Sequence, residues 1–167
     1  MRFYAISQLI TVTVAQPEEH GGSSESAIVL DSDLKELERL EAFIDAFCER
    51  ENLPEKTRYH LHVAIEELVV NAIRHGACDP PQGAIRLAMR MEAGEVRLTL
   101  CDTGRPFDPL SVPAPDLTAS VVERPVGGLG VHLVRCLIPD IRYERREARN
   151  WLYLAKPVVA DDDDSAL

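Results

Sequence analysis

The chain has 167 residues, with 18 lysines and arginines against 28 aspartates and glutamates, so its formal net charge at pH 7 is −10. Hydrophobic residues make up 46% of the sequence, which is typical of a globular domain that buries its own core. An acidic chain repels a phosphate backbone, and no apolar run approaches the roughly 18 residues that a membrane-spanning helix requires. The composition therefore argues against a free nucleic-acid-binding protein and against a helical membrane protein.

The four cysteines are far apart in the sequence and form no C-x-x-C pair. This spacing is typical neither of a secreted disulfide scaffold nor of a zinc site. We therefore expect four reduced, buried cysteines in a cytoplasmic protein. They are Cys48, Cys78, Cys101 and Cys136.

Composition divides the chain into three segments. Residues 1–26 join a moderately apolar stretch to a polar, Gly/Ser-rich one, and we expect an edge strand or loose arm followed by a linker. Polar residues interrupt the apolar stretch, which argues against a signal peptide. Residues 27–157 are predicted to form the domain, and residues 158–167, with the acidic run Asp161–Asp164, a solvated tail.

The first half of the domain predicts a strand and two helices. Residues 27–30 are a short apolar strand, after which Asp31 or Ser32 can cap a helix. Apolar residues at helical spacing extend that helix over residues 34–50. A proline separates it from a second helix, which begins at 54 or 55 and stops at Gly76.

The second half of the domain predicts two hairpins on either side of a long loop. Residues 103–126 contain five prolines and no clear periodicity, and a loop of this length within a compact domain is usually functional or mobile. The other elements are, in chain order, strands at 84–91 and 96–102, a helix at 131–137, and strands at 141–145 and 151–155 joined by a turn at 147–150.

This order of elements predicts an α+β fold. Consecutive hairpins argue against a βαβ repeat and so against a Rossmann fold. We expect a two-layer sandwich, in which a mixed or antiparallel sheet of four or five strands has three helices on one face.

Three polar residues are spaced four residues apart on the second helix, namely Glu67, Asn71 and His75. They lie on one helix face, which drifts by about 40° per step, whereas the neighbouring Glu66 points about 100° away. One interpretation is a solvated polar face. The other is the wall of a site, because an amide oxygen suits Mg²⁺ held by phosphates, and a carboxylate one turn away can accept a proton from a hydroxyl.

Asp102 stands at the end of an apolar strand and begins the segment D-T-G-R-P-F-D-P. A carboxylate in this position can accept a hydrogen bond from an exocyclic amine. Gly104, two residues later, allows either close backbone approach or a positive φ. The alternative is an ordinary turn built from Asp, Gly and Pro.

The run Gly127-Gly128-Leu129-Gly130 precedes the third helix. Glycines at a helix start leave backbone N–H groups facing a ligand, and the helix dipole favours an anion there. No Lys-Ser/Thr pair follows, so the run is not a Walker A loop. The alternative is a glycine-rich hinge.

Together these motifs are far more specific than any one of them. In order and spacing, E-x-x-x-N-A-x-x-H-G, D-x-G-x-P-F-D-P and G-G-L-G resemble the N, G1 and G2 boxes of the GHKL (Bergerat-fold) ATP-binding superfamily. The resemblance covers residues 27–157. Within the superfamily, the chain looks like the small bacterial anti-sigma factor serine-protein kinases, whose C-terminal helix and strand pair are similar to its last segment.

The resemblance implies that ATP and Mg²⁺ are the cofactors. Glu67 matches the family's catalytic carboxylate, which acts as general base on the substrate hydroxyl. Asn71 matches the Mg²⁺ ligand, and His75 lies near the phosphates.

The resemblance also assigns the adenine and lid residues. Asp102 matches the aspartate that reads the adenine amino group, with Gly104 in the same turn. Gly128, Leu129 and Gly130 form the box whose glycines let a lid close over the phosphates. Arg124, just before them, can reach the γ-phosphate.

These assignments predict a serine/threonine protein kinase that phosphorylates a small anti-sigma antagonist of the STAS type and can also sequester a sigma factor. Members of the group often dimerise, so a homodimer fits the resemblance. The alternative is a nucleotide-binding regulatory switch with negligible catalysis, against which Glu67 argues. A sensor histidine kinase is disfavoured, because no dimerisation helix with a phospho-acceptor histidine precedes the domain.

Overall fold

A computed structural model describes residues 24–111, 113 and 129–161 of the chain. These residues form a five-stranded antiparallel sheet in the order β1-β2-β3-β5-β4, together with three α-helices. The elements are β1 (Ser26–Leu30), α1 (Leu37–Arg50), α2 (Glu55–His75), β2 (Ile85–Glu92), β3 (Glu95–Asp102), α3 (Leu129–Leu137), β4 (Asp140–Arg146) and β5 (Arg149–Pro157). The predicted α+β fold is confirmed, and the sheet is antiparallel. Residues 1–23, 112, 114–128 and 162–167, which include much of the predicted arm, long loop and tail, lie outside the described residues.

The core lies between the helices and one face of the sheet. Strand alternation turns every second residue of β3 toward the helices, so Val96, Leu98 and Leu100 are buried. The apolar stripes predicted for the first two helices pack against these buried strand residues. Their buried members include Leu40, Ile44 and Phe47 of α1 and Leu61, Ile65 and Leu68 of α2.

The start of α1 differs from the prediction. Asp33 caps a 3₁₀ turn at Leu34–Glu36 by accepting a hydrogen bond from the backbone N–H of Lys35 at 3.0 Å, and α1 follows at Leu37. The expected cap Asp31 instead accepts a hydrogen bond from the N–H of Gly83. Because this carboxylate binds a loop that is distant in sequence, it does not cap the helix, and the helix begins further along the chain.

The turn between β4 and β5 is shorter than predicted. The prediction of a turn at 147–150 is wrong, because Glu147 and Ala148 alone form it, with φ angles of 53° and 59°. Such a turn normally carries Gly or Asn, so the Glu-Ala sequence found here does not predict a two-residue turn. Asn150 therefore belongs to β5, where it pairs with Asp102 of β3.

Residues 158–161 follow β5 back to the first turn of α2. The hydroxyl of Thr57 donates to the carbonyl of Val159 at 3.1 Å and accepts from its N–H at 2.9 Å. A carboxylate oxygen of Asp161 accepts from the N–H of Lys56 at 3.0 Å. The start of the predicted tail is therefore tied to the helix that carries the polar face.

The cysteines are free, but the expectation that all four are buried is wrong. Cys48 and Cys101 are buried and Cys78 is half-buried, whereas Cys136 is exposed. Cys136 lies on the outer side of α3, one turn after His132. Separately, none of the described helices combines the length and apolar character that a membrane span needs.

Candidate active site

One cleft opens where the C-terminal end of α2 meets the ends of β3 and β5. It holds about 400 Å³ of space, including the part that is open to solvent. Its polar lining includes Asn71, His75 and Asp102, three of the residues that the sequence singled out. Apolar side chains form much of the rest, among them Leu68, Ala72, Leu100, Phe107, Pro109 and Leu152.

The polar face of α2 forms one side of this cleft. Glu67 and Asn71 are half-buried and His75 is exposed at the end of the helix. The adjacent Leu68 and Ala72 are buried in the core. The face is therefore offset from the apolar stripe as the spacing predicts, and two of its three residues, Asn71 and His75, line the cleft.

Asp102 is a buried carboxylate, 6% exposed, at the end of β3. Its Oδ1 accepts hydrogen bonds from the N–H of Gly104 and from Nδ2 of Asn150, both at 2.8 Å. Burial raises the pKa of Asp102, and the Asn150 and Gly104 hydrogen bonds and the charge of Arg145 oppose that rise. Among the described residues, Oδ2 accepts no hydrogen bond, so this oxygen is left for a donor on a ligand.

Asn150 is the site residue that sequence reasoning missed. It is 4% exposed, and its Nδ2 donates to Asp102 Oδ1 and to the carbonyl of Arg105, both at 2.8 Å. Its Oδ1 accepts from the Tyr143 hydroxyl at 3.0 Å and from Nη1 of Arg145 at 2.9 Å. The available signal is a polar amide directly before an apolar strand, but the predicted turn at 147–150 includes this residue.

Two glycines bring the end of α2 against the turn after β3. The N–H of Arg105 donates to the carbonyl of Gly76 at 2.7 Å. A Cβ on Gly104 would lie 2.7 Å from the Cα of Gly76, and one on Gly76 would overlap the carbonyl of Ala72. Of the two roles expected for Gly104, close backbone approach is therefore the one observed, whereas a Cβ on Gly76 is excluded by the preceding turn of its own helix.

The start of α3 lies directly over Glu67. A Cβ on Gly130 would overlap Oε2 of Glu67 and lie 2.7 Å from its Cδ. The helix begins at Leu129, so the carboxylate of Glu67 sits beside its first turn, where the helix dipole favours an anion. Gly128 and Arg124 lie outside the described residues.

The polar side chains of the cleft are compatible with a metal ion that binds together with a ligand. Within residues 24–111, 113 and 129–161, no group of three or more His, Cys, Asp or Glu side chains is arranged to hold a metal. Asn71 lines the cleft with a neutral amide. Mg²⁺ is commonly held by one or two protein oxygens together with phosphates and water, so a single amide oxygen is compatible with that ion.

Comparison with known proteins identifies the family of the chain. Residues 30–156 match the family described as the histidine kinase-like ATPase domain. The chain is 30% identical over 105 residues to the serine/threonine-protein kinase BtrW of Bordetella bronchiseptica, covering 63% of this chain and 74% of that protein. It is 27% identical over 112 residues to the serine-protein kinase RsbW of Oceanobacillus iheyensis, covering 62% of this chain and 70% of that one.

A solved structure supports the fold. The structure of the RsbU and RsbW domains of a Mycobacterium tuberculosis protein matches 81% of this chain with a TM-score of 0.62 and 17% identity. This chain spans only 33% of that longer one. At such identity the likeness concerns the fold alone.

Proposed function

This chain belongs to the histidine kinase-like ATPase domain family, and from that premise we propose that it is a cytoplasmic serine/threonine protein kinase of the anti-sigma factor type. In this proposal it uses Mg²⁺ and ATP to phosphorylate a small STAS-type anti-sigma antagonist, and it also sequesters a sigma factor. The names of the kinases BtrW and RsbW support the reaction type. The observation that carries the proposal is the convergence of Asn71, His75 and Asp102 on one cleft.

The inner part of the cleft suits a purine. Asp102 Oδ2 is an acceptor at a site where an exocyclic amine is a matching donor. Leu68, Leu100 and Leu152 supply the apolar surface that an aromatic base needs. An adenine with its 6-amino group on Asp102 satisfies both features.

The outer part of the cleft suits phosphates. Asn71 would hold Mg²⁺ through its amide oxygen, and the ion would neutralise the charge that develops on the transferred phosphoryl group. His75 lies one turn beyond Asn71 on the same face. Backbone N–H groups of the glycine-rich run, Gly128, Leu129 and Gly130, would donate to phosphate oxygens, and Arg124 would reach the γ-phosphate.

Glu67 is proposed as the catalytic base. It lies one turn before Asn71 on the same helix face, so a hydroxyl aimed at the γ-phosphate is within reach of its carboxylate. The serine oxygen forms the new bond to phosphorus, the bond to the ADP oxygen breaks, and the serine proton passes to Glu67. The half-buried position of Glu67 lets it meet a partner's side chain without leaving the helix face.

Calorimetric titration with ATP, with and without Mg²⁺, tests the nucleotide site. We expect binding at roughly micromolar Kd in the presence of Mg²⁺, and its loss in Asn71→Ala. Gln82→Ala, in an exposed loop away from the cleft, is the matched control and should bind as wild type does. A folded wild-type protein that binds no ATP would overturn the proposal. If the protein binds ATP but transfers no phosphoryl group to a purified STAS-domain protein, the kinase proposal is replaced by the nucleotide-binding regulatory switch.

A further inference from the structure

We propose that Asn150 is a positioning residue that holds Asp102 as a hydrogen-bond acceptor and thereby sets the preference for a 6-amino purine over a 6-oxo purine. This inference rests on the proposed nucleotide site. It concerns a residue that does not itself need to touch the ligand, because its contacts act on Asp102 and on the turn that follows β3.

The orientation of the Asn150 amide is determined by its partners. Arg145 carries only donors, so the atom of Asn150 that it contacts at 2.9 Å must be the carbonyl oxygen. The Tyr143 hydroxyl donates to the same oxygen. The Nδ2 group must then face the opposite way, toward Asp102 Oδ1 and the carbonyl of Arg105, which are both acceptors at 2.8 Å.

This orientation in turn constrains Asp102. Its Oδ1 takes two donors, one from Asn150 and one from the N–H of Gly104, so that oxygen has no room for a proton of its own. Both hydrogen bonds favour the ionised carboxylate and oppose the effect of burial. A proton on this carboxyl would therefore have to sit on Oδ2, and the two hydrogen bonds to Oδ1 act against it, which favours Oδ2 as an acceptor in a side chain that lines the cleft.

The protonation state of Asp102 decides which base is accepted. An ionised Oδ2 accepts a hydrogen bond from the 6-amino group of adenine and repels the 6-carbonyl oxygen of guanine. A protonated Oδ2 can donate to that carbonyl oxygen. Loss of the Asn150 donor removes a hydrogen bond that holds the pKa of Asp102 down, so Oδ2 is protonated more easily and the site accepts GTP more readily.

The same amide also ties the base-reading residue to the start of the long loop. Nδ2 of Asn150 donates to the carbonyl of Arg105, and Oδ1 of Asn150 accepts from the N–H of Phe107 at 3.4 Å. These two hydrogen bonds hold the first residues after the Asp102 turn in place. Both Arg105 and Phe107 line the cleft. Removal of the amide is thus expected to affect the wall of the base site and the state of Asp102 together.

The experiment is calorimetric titration of ATP and of GTP at about pH 6 and about pH 8, on wild type, Asn150→Ala and Asn150→Thr. We expect the ATP-over-GTP preference of Asn150→Ala to fall by about tenfold, with the greater loss at the lower pH. Asn150→Thr keeps one hydroxyl donor on a strand-compatible side chain and should recover part of the preference. Arg149→Ala changes the preceding residue, on the opposite face of the sheet, and should behave as wild type does.

The outcomes separate this inference from the proposed function. Failure of the wild type to bind ATP overturns the nucleotide site itself. A wild type that prefers ATP, together with a folded Asn150→Ala that keeps this preference at both pH values, overturns the role of Asn150 alone. An equal, pH-independent loss of affinity for ATP and for GTP also overturns it, because a residue with a purely structural role would give that result. If Asn150→Ala does not fold, Asn150→Leu, which has nearly the same size but no donor, takes its place, and an unchanged preference in that variant at both pH values has the same consequence.

Discussion

The carboxylate of Glu67 occupies the space that a side chain on Gly130 would fill. A Cβ there would overlap Oε2 and lie 2.7 Å from Cδ. The residue proposed as catalytic base is thus in van der Waals contact with the first turn of α3, which includes the last two residues of the glycine-rich run. The position of that helix and the orientation of Glu67 therefore depend on each other.

Gly130→Ala is expected to displace Glu67 or the start of α3, because the added methyl group has no space. We expect phosphoryl transfer to a STAS-domain substrate to fall by about tenfold or more, while ATP affinity falls less, since misplacement of a reacting group is felt mainly in the rate. Initial transfer rates and calorimetry measure the two effects. Cys136→Ala, an exposed position on the same helix, is the control. An unchanged transfer rate would mean that the contact has no catalytic consequence.

Glu67→Gln is expected to keep ATP binding and to lose transfer by about 10²- to 10⁴-fold, because the amide cannot accept the hydroxyl proton. Its shape is nearly unchanged, so the contact with Gly130 is retained. Glu66→Gln is the matched control, since the neighbouring side chain is exposed and points away from Asn71. Full activity of Glu67→Gln in a transfer assay would remove it as the base.

Asp102→Asn is expected to weaken the preference for ATP over GTP. If the amide oxygen takes the two donors that now bind Oδ1, its NH₂ group faces the cleft and can donate to a 6-carbonyl oxygen. Competition binding with the two nucleotides measures the change, with Asp79→Asn in an exposed loop as control. An unaltered preference would place the base elsewhere.

Thr57→Val is expected to destabilise the fold by about 1–3 kcal/mol, because it leaves the backbone of Val159 without its two hydrogen bonds. The two side chains have nearly the same shape, and Thr57 is fully buried, so packing changes little. Urea unfolding measures the effect. Thr99→Val, on the half-exposed face of β3, is the control, and equal stability of the two variants would contradict this role for Thr57.

The free energy of unfolding is expected to decrease as the pH falls below about 6.5, in part through His60. Burial and the charges of Lys156 and Lys56 lower the pKa of His60 from its usual 6.5. The unfolded chain therefore binds a proton first as the pH falls, and the stability that is present above pH 6.5 is lost. Urea midpoints at two pH values should show a smaller acid loss in His60→Gln than in wild type. His62→Gln is the control, and an identical loss in all three proteins would exclude His60 as a source.

Local patterns were sufficient for much of the fold and part of the site. The four-residue spacing of Glu67, Asn71 and His75 predicts a shared helix face, because the helical repeat alone determines that geometry. The apolar residues that precede Asp102 likewise predict that it stands at the end of a strand. The packing of the helices on one sheet face follows from the apolar periodicities. These features are confirmed in the described residues.

The place of Asn150 could not be obtained in this way. A turn of two residues with L side chains in the left-handed region carries no strong sequence signal, and a change in turn length alters which residue faces the core. An error of two residues at this turn was enough to hide the partner of Asp102.

The sequence by itself determined the fold class, the shared helix face of Asn71 and His75, and the place of Asp102 at a strand end, since these depend on patterns within single elements. Only the tertiary structure decided which residues support them. The pairs Asn150–Asp102, Gly76–Gly104 and Glu67–Gly130 are distant in the chain, and they meet through strand register and close backbone approach. Such contacts are set by the packing of whole elements to within a few tenths of an ångström, and no local pattern in the sequence specifies them.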